Sequence, residues 1–186
     1  MNKTMTNTTY TIGHSTHSLV DFLGMLHSFN IKILADIRSM PGSRKFPQFD
    51  QDNLKIALEE NGIEYIHFSS LGGRRKPKKD TKNILWNNPS FRGYADYMET
   101  KEFKNAIEKL EDIASKKNTV IMCSEAVWWR CHRSMVADYL KIKKWTVLHI
   151  IRFEKAQEHQ YTSPARIVDG CLFYTAFILL FFYKYF

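Results

Sequence analysis

Cysteine, glycine and proline are all scarce in this chain. Only three cysteines occur in 186 residues, at Cys123, Cys131 and Cys171. So small and odd a number excludes a disulfide-stapled scaffold, and a chain of this length buries enough surface to hold a core without staples. Eight glycines and five prolines exclude a collagenous or Pro/Gly-rich disordered chain. Internal repeats and low-complexity linkers are missing too, so one compact domain is expected. The opening MNKTMTNTTY is polar, and we expect neither a signal peptide nor an anchor from it. The expected compartment is the reducing cytoplasm, where thiols stay free.

What is present is ordinary for a globular protein: 44% apolar and 25% charged residues. The net charge of +8 marks a basic protein. It favours anionic partners such as nucleic acid, phosphorylated metabolites or anionic membrane surfaces, although solubility explains it equally well.

Runs of β-formers alternate with helical patterns. Thr8 to Ile12 is a predicted strand, and Ser18 with Asp21 resembles a capping box that starts a helix through Leu19, Phe22, Leu23 and Leu26. Lys32 to Ile37 is a second strand, followed by the looped SMPGSRKFPQF. Asp52 to Glu60 is a helix closed by Asn61-Gly62, and Ile63 to Phe68 a third strand. Residues 91–117 give one or two helices before the strand Thr119 to Met122. A helix follows Cys131, Trp145 to Ile151 is a fifth strand, and HQYTSPARIVDG is a loop. The pattern predicts a single three-layer α/β domain, with a mostly parallel sheet of about five strands and helices on both faces.

Ligands of such sheets bind outside the carboxyl ends of the strands. Polar residues collect there: Gly13, His14 and Ser15 after the first strand, Asp36 and Arg38 after the second, Gly72, Gly73 and Arg74 after the third. Cys123 and Glu125 follow the fourth, and His149 lies near the end of the fifth. Each has a plainer explanation. Ser15 can cap a helix, Asp36 and Arg38 share one side of a strand and can form a structural ion pair, and Gly72-Gly73 can be a turn. Arg38 can equally clamp a phosphate or carboxylate with its planar fork.

CSEAVWWRCHR, Cys123 to Arg133, admits three chemistries. Cys131, between Arg130 and His132 at a helix start, is a candidate nucleophile because such surroundings lower a thiol's pKa. Cys123, Cys131 and His132 can ligate a metal with a fourth group such as His14. However, seven residues between the cysteines do not fit structural-zinc spacing, so no metal is expected. Helix-start amides with Arg130 and Arg133 can bind an anion. The Cys-x5-Arg phosphate-loop spacing is not met, and simple packing of both thiols is the plain alternative. Nearby, Arg74 to Lys82 holds six Lys or Arg residues and one Asp, a solvated loop or a phosphate-steering one. Trp128 and Trp129 can stack bases or plug a core edge.

TIGHS at 11–15, DIRSMPGSRKFPQF at 36–49, LGGRR at 71–75 and MCSEAVWWRCHR at 122–133 together resemble the domain of unknown function 488 family. HI at 149–150 and YTSPARIVDG at 161–170 are similar to that family's closing motifs, so the resemblance extends to about residue 170. It implies a small uncharacterised α/β protein whose polar site is commonly suspected to be enzymatic. The matching positions are Gly13, His14, Ser15, Asp36, Arg38, Pro41, Ser43, Gly72, Gly73, Arg74, Cys123, Glu125, Cys131, His132 and Arg133. One departure is the apolar tail of residues 171–186, CLFYTAFILLFFYKYF, too short to span a bilayer as a helix and expected to be atypical.

The leading expectation is an enzyme acting on a small anionic, phosphate-bearing or nucleotide-like substrate. Cys131 would be its nucleophile, Glu125 or His14 its proton carriers, and Asp36 an orienting group. Gly13, Ser15, Arg38, Ser43, Gly72, Gly73, Arg74, Cys123, His132 and Arg133 would bind the anion. Two alternatives stand beside it: a nucleic-acid-binding or -processing protein, and a redox- or metal-responsive regulator using Cys123 and Cys131. No cofactor is required and no membrane span is expected.

Overall fold

A computed structural model describes residues 7–176. The chain alternates β1 (Thr8–Gly13), α1 (Leu19–Ser28), β2 (Ile33–Asp36), α2 (Gln51–Glu60), β3 (Glu64–His67), α3 (Pro89–Met98) and α4 (Lys101–Ala114). It continues through β4 (Thr119–Cys123), α5 (Arg133–Ile142), β5 (Thr146–Arg152) and β6 (Lys155–Glu158) to β7 (Arg166–Val168) and β8 (Cys171–Phe173). Strands β1 to β6 form one sheet of order β3-β2-β4-β1-β5-β6, parallel except for the β5–β6 hairpin. This is the single α/β domain expected, with six strands in the main sheet instead of about five.

Local chemistry fixes the element ends. Ser18 Oγ accepts the Asp21 amide at 3.1 Å and donates to the Asp21 carboxylate at 2.7 Å, which caps α1. Gly62 ends α2 at φ +68°, a conformation glycine adopts without steric cost.

Side-chain alternation along the central strands builds two cores. Val120 and Met122 face α1 and α2, with Phe22, Leu26, Leu54 and Leu58. Ile121 and Cys123 face α3, α4 and α5, with Tyr94, Phe103, Ile107, Met135 and Val136. Truncating a fully buried leucine such as Leu34 to alanine removes about 2–5 kcal/mol. Helices therefore cover both faces.

Two stretches differ from the sequence reading. KAQE (155–158) is charged, has no apolar alternation, and still pairs with β5 as an edge strand. HQYTSPARIVDG, expected as a loop, contains the buried His159 and the strand β7, which pairs with β8. Of the expected apolar tail, Cys171–Phe173 is therefore β8. Tyr174 is buried beside Trp86, with its hydroxyl donating to Asp138 at 2.8 Å. Residues 177–186 of that tail lie outside the described residues. Among the described residues no helix is long and apolar enough to cross a membrane.

Candidate functional site

Strand order creates the site. From β1 the chain passes over β4 to reach β2, with α1 in one core. From β4 it passes over β1 to reach β5, with α5 in the other core. The two connections part in opposite directions between neighbouring strand ends, which opens a crevice. Backbone holds its floor: the His14 amide donates to the Cys123 carbonyl at 3.0 Å, and the Ser15 amide to Ser124 at 2.9 Å. Gly13 touches the Glu125 backbone so closely that any Cβ would overlap the carbonyl oxygen.

Asp36 and Arg38 are the structural pair that a shared strand face allows, and they are buried. Arg38 Nε lies 3.0 Å from both Asp36 carboxylate oxygens and Nη2 2.6 Å from Oδ2. The Tyr65 hydroxyl donates to the same carboxylate at 2.8 Å, and Arg38 Nη1 donates to the Phe49 carbonyl at 2.8 Å. Asp36 is fully buried and does not reach the cavity; it aims Arg38, which does. Nη1 also lies 3.4 Å from His14 Nε2. His14 Nδ1 faces the Ser15 carbonyl at 3.1 Å, so it carries the proton, leaving Nε2 to accept from Arg38. Burial first, and the Arg38 charge second, lower the His14 pKa and keep this imidazole neutral.

Cys123, Cys131 and His132 converge. His132 Nδ1 lies 3.6 Å from the Cys131 sulfur and 4.0 Å from the Cys123 sulfur. The turn Trp128–Arg130 folds the segment back and brings Cys131 beside the strand end that carries Cys123. A hydrogen bond from the Cys131 thiol draws Cys123 well below the ordinary thiol range, opposed by burial and helped by the Arg133 charge. Burial, and then the same interaction, push Cys131 well above it. Of the two thiols, Cys123 is the one whose pKa is lowered. The sequence reading assigned the nucleophile to Cys131 and placed Cys123 among the anion-binding residues.

These groups line a cavity of about 710 Å³. Of the residues expected from sequence, His14, Ser15, Arg38, Ser43, Gly73, Arg74, Cys123, Glu125, Cys131 and His132 border it. Gly13, Asp36, Gly72 and Arg133 lie behind it. Gly72 packs against Ser39, whose hydroxyl accepts the Arg74 amide at 3.2 Å. Arg133, expected to hold the anion, is buried and donates to the carbonyls of Glu125 and, at 2.9 Å, Ala126. It braces the loop after β4 and does not face the cavity.

Arg130, weighed from sequence as an anion contact at the helix start but not kept in the expected site set, is exposed and lines the cavity. Sequence reasoning missed Tyr65 and Phe49, which seat Arg38 and His14, and the α3 start at Asn88, Ser90 and Phe91. Only long-range packing reveals these.

Of the basic run, only Arg74 borders the cavity. The rest straps across α3: Asp96 accepts the Lys78 amide at 2.8 Å and the Thr81 hydroxyl at 2.6 Å, and Arg75 lies 3.7 Å over the Tyr97 ring. Trp128 is buried and stacked on His149, so it cannot receive a base, whereas Trp129 is 56% exposed. His149 sits on a buried relay in which His159 bridges to Asp138 at 2.9 Å on either side. It is away from the cavity lining.

No curated protein and no solved structure matches the chain. A family model described as "Domain of unknown function DUF488" matches residues 18–140. That span holds the DIRSMPGSR, LGGRR and CSEAVWWRCHR segments. It stops short of the GHS turn and of the closing motifs, so it is narrower than the sequence resemblance. The chain belongs to the DUF488 family.

Proposed function

We propose that the protein is an enzyme acting on a small anionic substrate, phosphate-bearing or nucleotide-like, in the cavity at the carboxyl ends of the strands. The observation that carries this reading is the pairing of charges in one cleft. Arg38, Arg74 and Arg130 border the same cavity as Cys123, the thiol that holds negative charge most readily. Arg38 is pre-aimed by Asp36 and Tyr65, so little ordering is lost on binding. Arg74 and Arg130 are exposed and bear no carboxylate partner among the described residues, leaving their charge for a ligand. Glu125 is the exposed carboxylate of the cavity wall and the candidate proton carrier; neutral His14 orients Arg38. The Cys123–Cys131–His132 cluster is where the substrate's reacting group would sit.

Titration calorimetry with inorganic phosphate and nucleoside monophosphates tests the reading. Binding is expected to weaken with salt and to fall about tenfold or more in Arg74→Ala or Arg130→Ala, the size of one lost charge-assisted contact. Absence of binding at low salt, or parent-like binding by both variants, would overturn it. A nucleic-acid reading finds less support, because Trp128 is enclosed and most of the basic run is folded onto α3.

A further inference from the structure

The cluster of Cys123, Cys131 and His132 has the geometry of a first coordination shell. The two sulfurs and the imidazole nitrogen lie within 4.8 Å of one another, and they form the sole such His/Cys/Asp/Glu group among the described residues. A tetrahedral zinc ion, with Zn–S of about 2.3 Å and Zn–N of about 2.0–2.1 Å, sets its ligand atoms about 3.5–3.8 Å apart. The Nδ1-to-sulfur distances of 3.6 and 4.0 Å are within a few tenths of an ångström of that.

The imidazole is turned for ligation. His132 Nε2 faces the Ile37 carbonyl at 3.2 Å. A carbonyl only accepts, so Nε2 carries the proton and the Nδ1 lone pair points at the sulfurs. A ring proton given to a backbone carbonyl is the outer partner that metal-bound histidines use to fix tautomer and orientation. Two more contacts hold the ring: Tyr94 meets it edge-on at 5.0 Å, and Gly73 packs against it with no room for a Cβ.

We propose that Cys123, Cys131 and His132 bind a divalent transition metal, zinc by ligand softness, with its fourth coordination position open to the cavity. Two sulfurs and one imidazole select zinc over magnesium or calcium, which take oxygen ligands. Structural zinc sites are closed by four protein ligands, whereas catalytic ones keep three and leave a place for water or substrate. All three ligands here border the arginine-flanked cavity. The seven-residue spacing argues against a structural zinc motif only; it does not bear on a site assembled from a strand end and a helix start. The proposal needs only these three side chains, so it is separate from the choice of anionic substrate.

The test is metal binding by the whole protein, purified with a phosphine reductant and without chelators. Elemental analysis should find about one zinc per chain, and cobalt(II) added to stripped protein should give a thiolate-to-cobalt charge-transfer band with tetrahedral d–d bands. Cys123→Ser and Cys131→Ser should each weaken binding by more than the roughly 10–100-fold that loss of an outer partner costs. Cys171→Ser, at a cysteine outside the cluster, should bind like the parent. His132→Ala should lose the band even if it unfolds slightly more easily, which circular dichroism at the same temperature checks. Failure of the folded parent to give the band would overturn the proposal. So would an undiminished band in Cys123→Ser. Phosphate binding that survives either result leaves the anionic-substrate reading intact, and its loss with a normal cobalt spectrum removes only that reading.

Discussion

Gly73 packs against the imidazole of His132, so that any side chain there would occupy the ring's place. The missing side chain of a residue in the β3-to-α3 connection thus sets the position of a residue at the start of α5. Gly73→Ala should push His132 off the Ile37 carbonyl and away from both sulfurs. Overpacking of this kind costs about 1–3 kcal/mol. For a chain of this size that is a fall of about 2–4 °C in melting temperature per kcal/mol. The expected outcome is a folded protein whose cobalt spectrum is weakened. A parent-like spectrum would show that the ring has another way to seat itself.

Thiol reactivity follows from the charge distribution. With metal stripped, iodoacetamide at neutral pH should modify Cys123 before Cys131, as read by peptide mapping. Its rate should begin to fall at a lower pH than that of an ordinary thiol, because the Cys123 pKa is lowered. Modification of Cys131 first would reverse the assignment.

The Asp36–Arg38 pair is a liability when broken. Asp36 accepts from Arg38 and from the Tyr65 hydroxyl, and all three are buried. Asp36→Asn leaves a buried guanidinium uncompensated, which costs about 3–5 kcal/mol. Tyr65→Phe removes one hydrogen bond to a charged acceptor, about 1.5–3 kcal/mol. Urea unfolding should rank the two in that order. The opposite order would place the charge elsewhere.

The strand ends that form the site were legible because polar residues follow the apolar runs at the same end of β1 to β4. Ser18, Asp21 and Gly62 announced helix ends for local reasons: a side-chain cap and a left-handed glycine. The roles of Arg130 and Arg133 were not legible. They lie three residues apart with the same charge, and only packing sends Arg133 inward to the Glu125 and Ala126 carbonyls while Arg130 stays at the cavity. The closeness of Cys123 and Cys131, weighed from sequence as a metal cluster and set aside on spacing, depends on the turn at Trp128. The same limit hid β6, whose charged side chains carry no core-facing pattern and whose pairing is made through the β5 backbone.

Acid should destabilise the fold through buried histidine. Burial, then the His159 and Arg133 charges, lower the His149 pKa to about 2. The unfolded chain binds a proton below about 6.5 while the folded one does not, so stability falls as pH drops below that value. Each such group contributes up to about 1.4 kcal/mol per pH unit; His14, also lowered, adds in the same direction. Urea midpoints should be flat above pH 7 and decline from pH 6.5 to 5. His149→Gln should have a shallower decline, whatever its stability at pH 7. An equal slope would assign the acid sensitivity to other groups.

In the proposed function, the arginine-flanked cavity over Cys123 receives an anionic substrate. Diffraction from crystals soaked in phosphate tests it most directly. A phosphate is expected within hydrogen-bond reach of Arg38 and of Arg74 or Arg130, in the crevice between β1 and β4. Phosphate bound elsewhere on the basic surface, with that crevice holding only water, would contradict it.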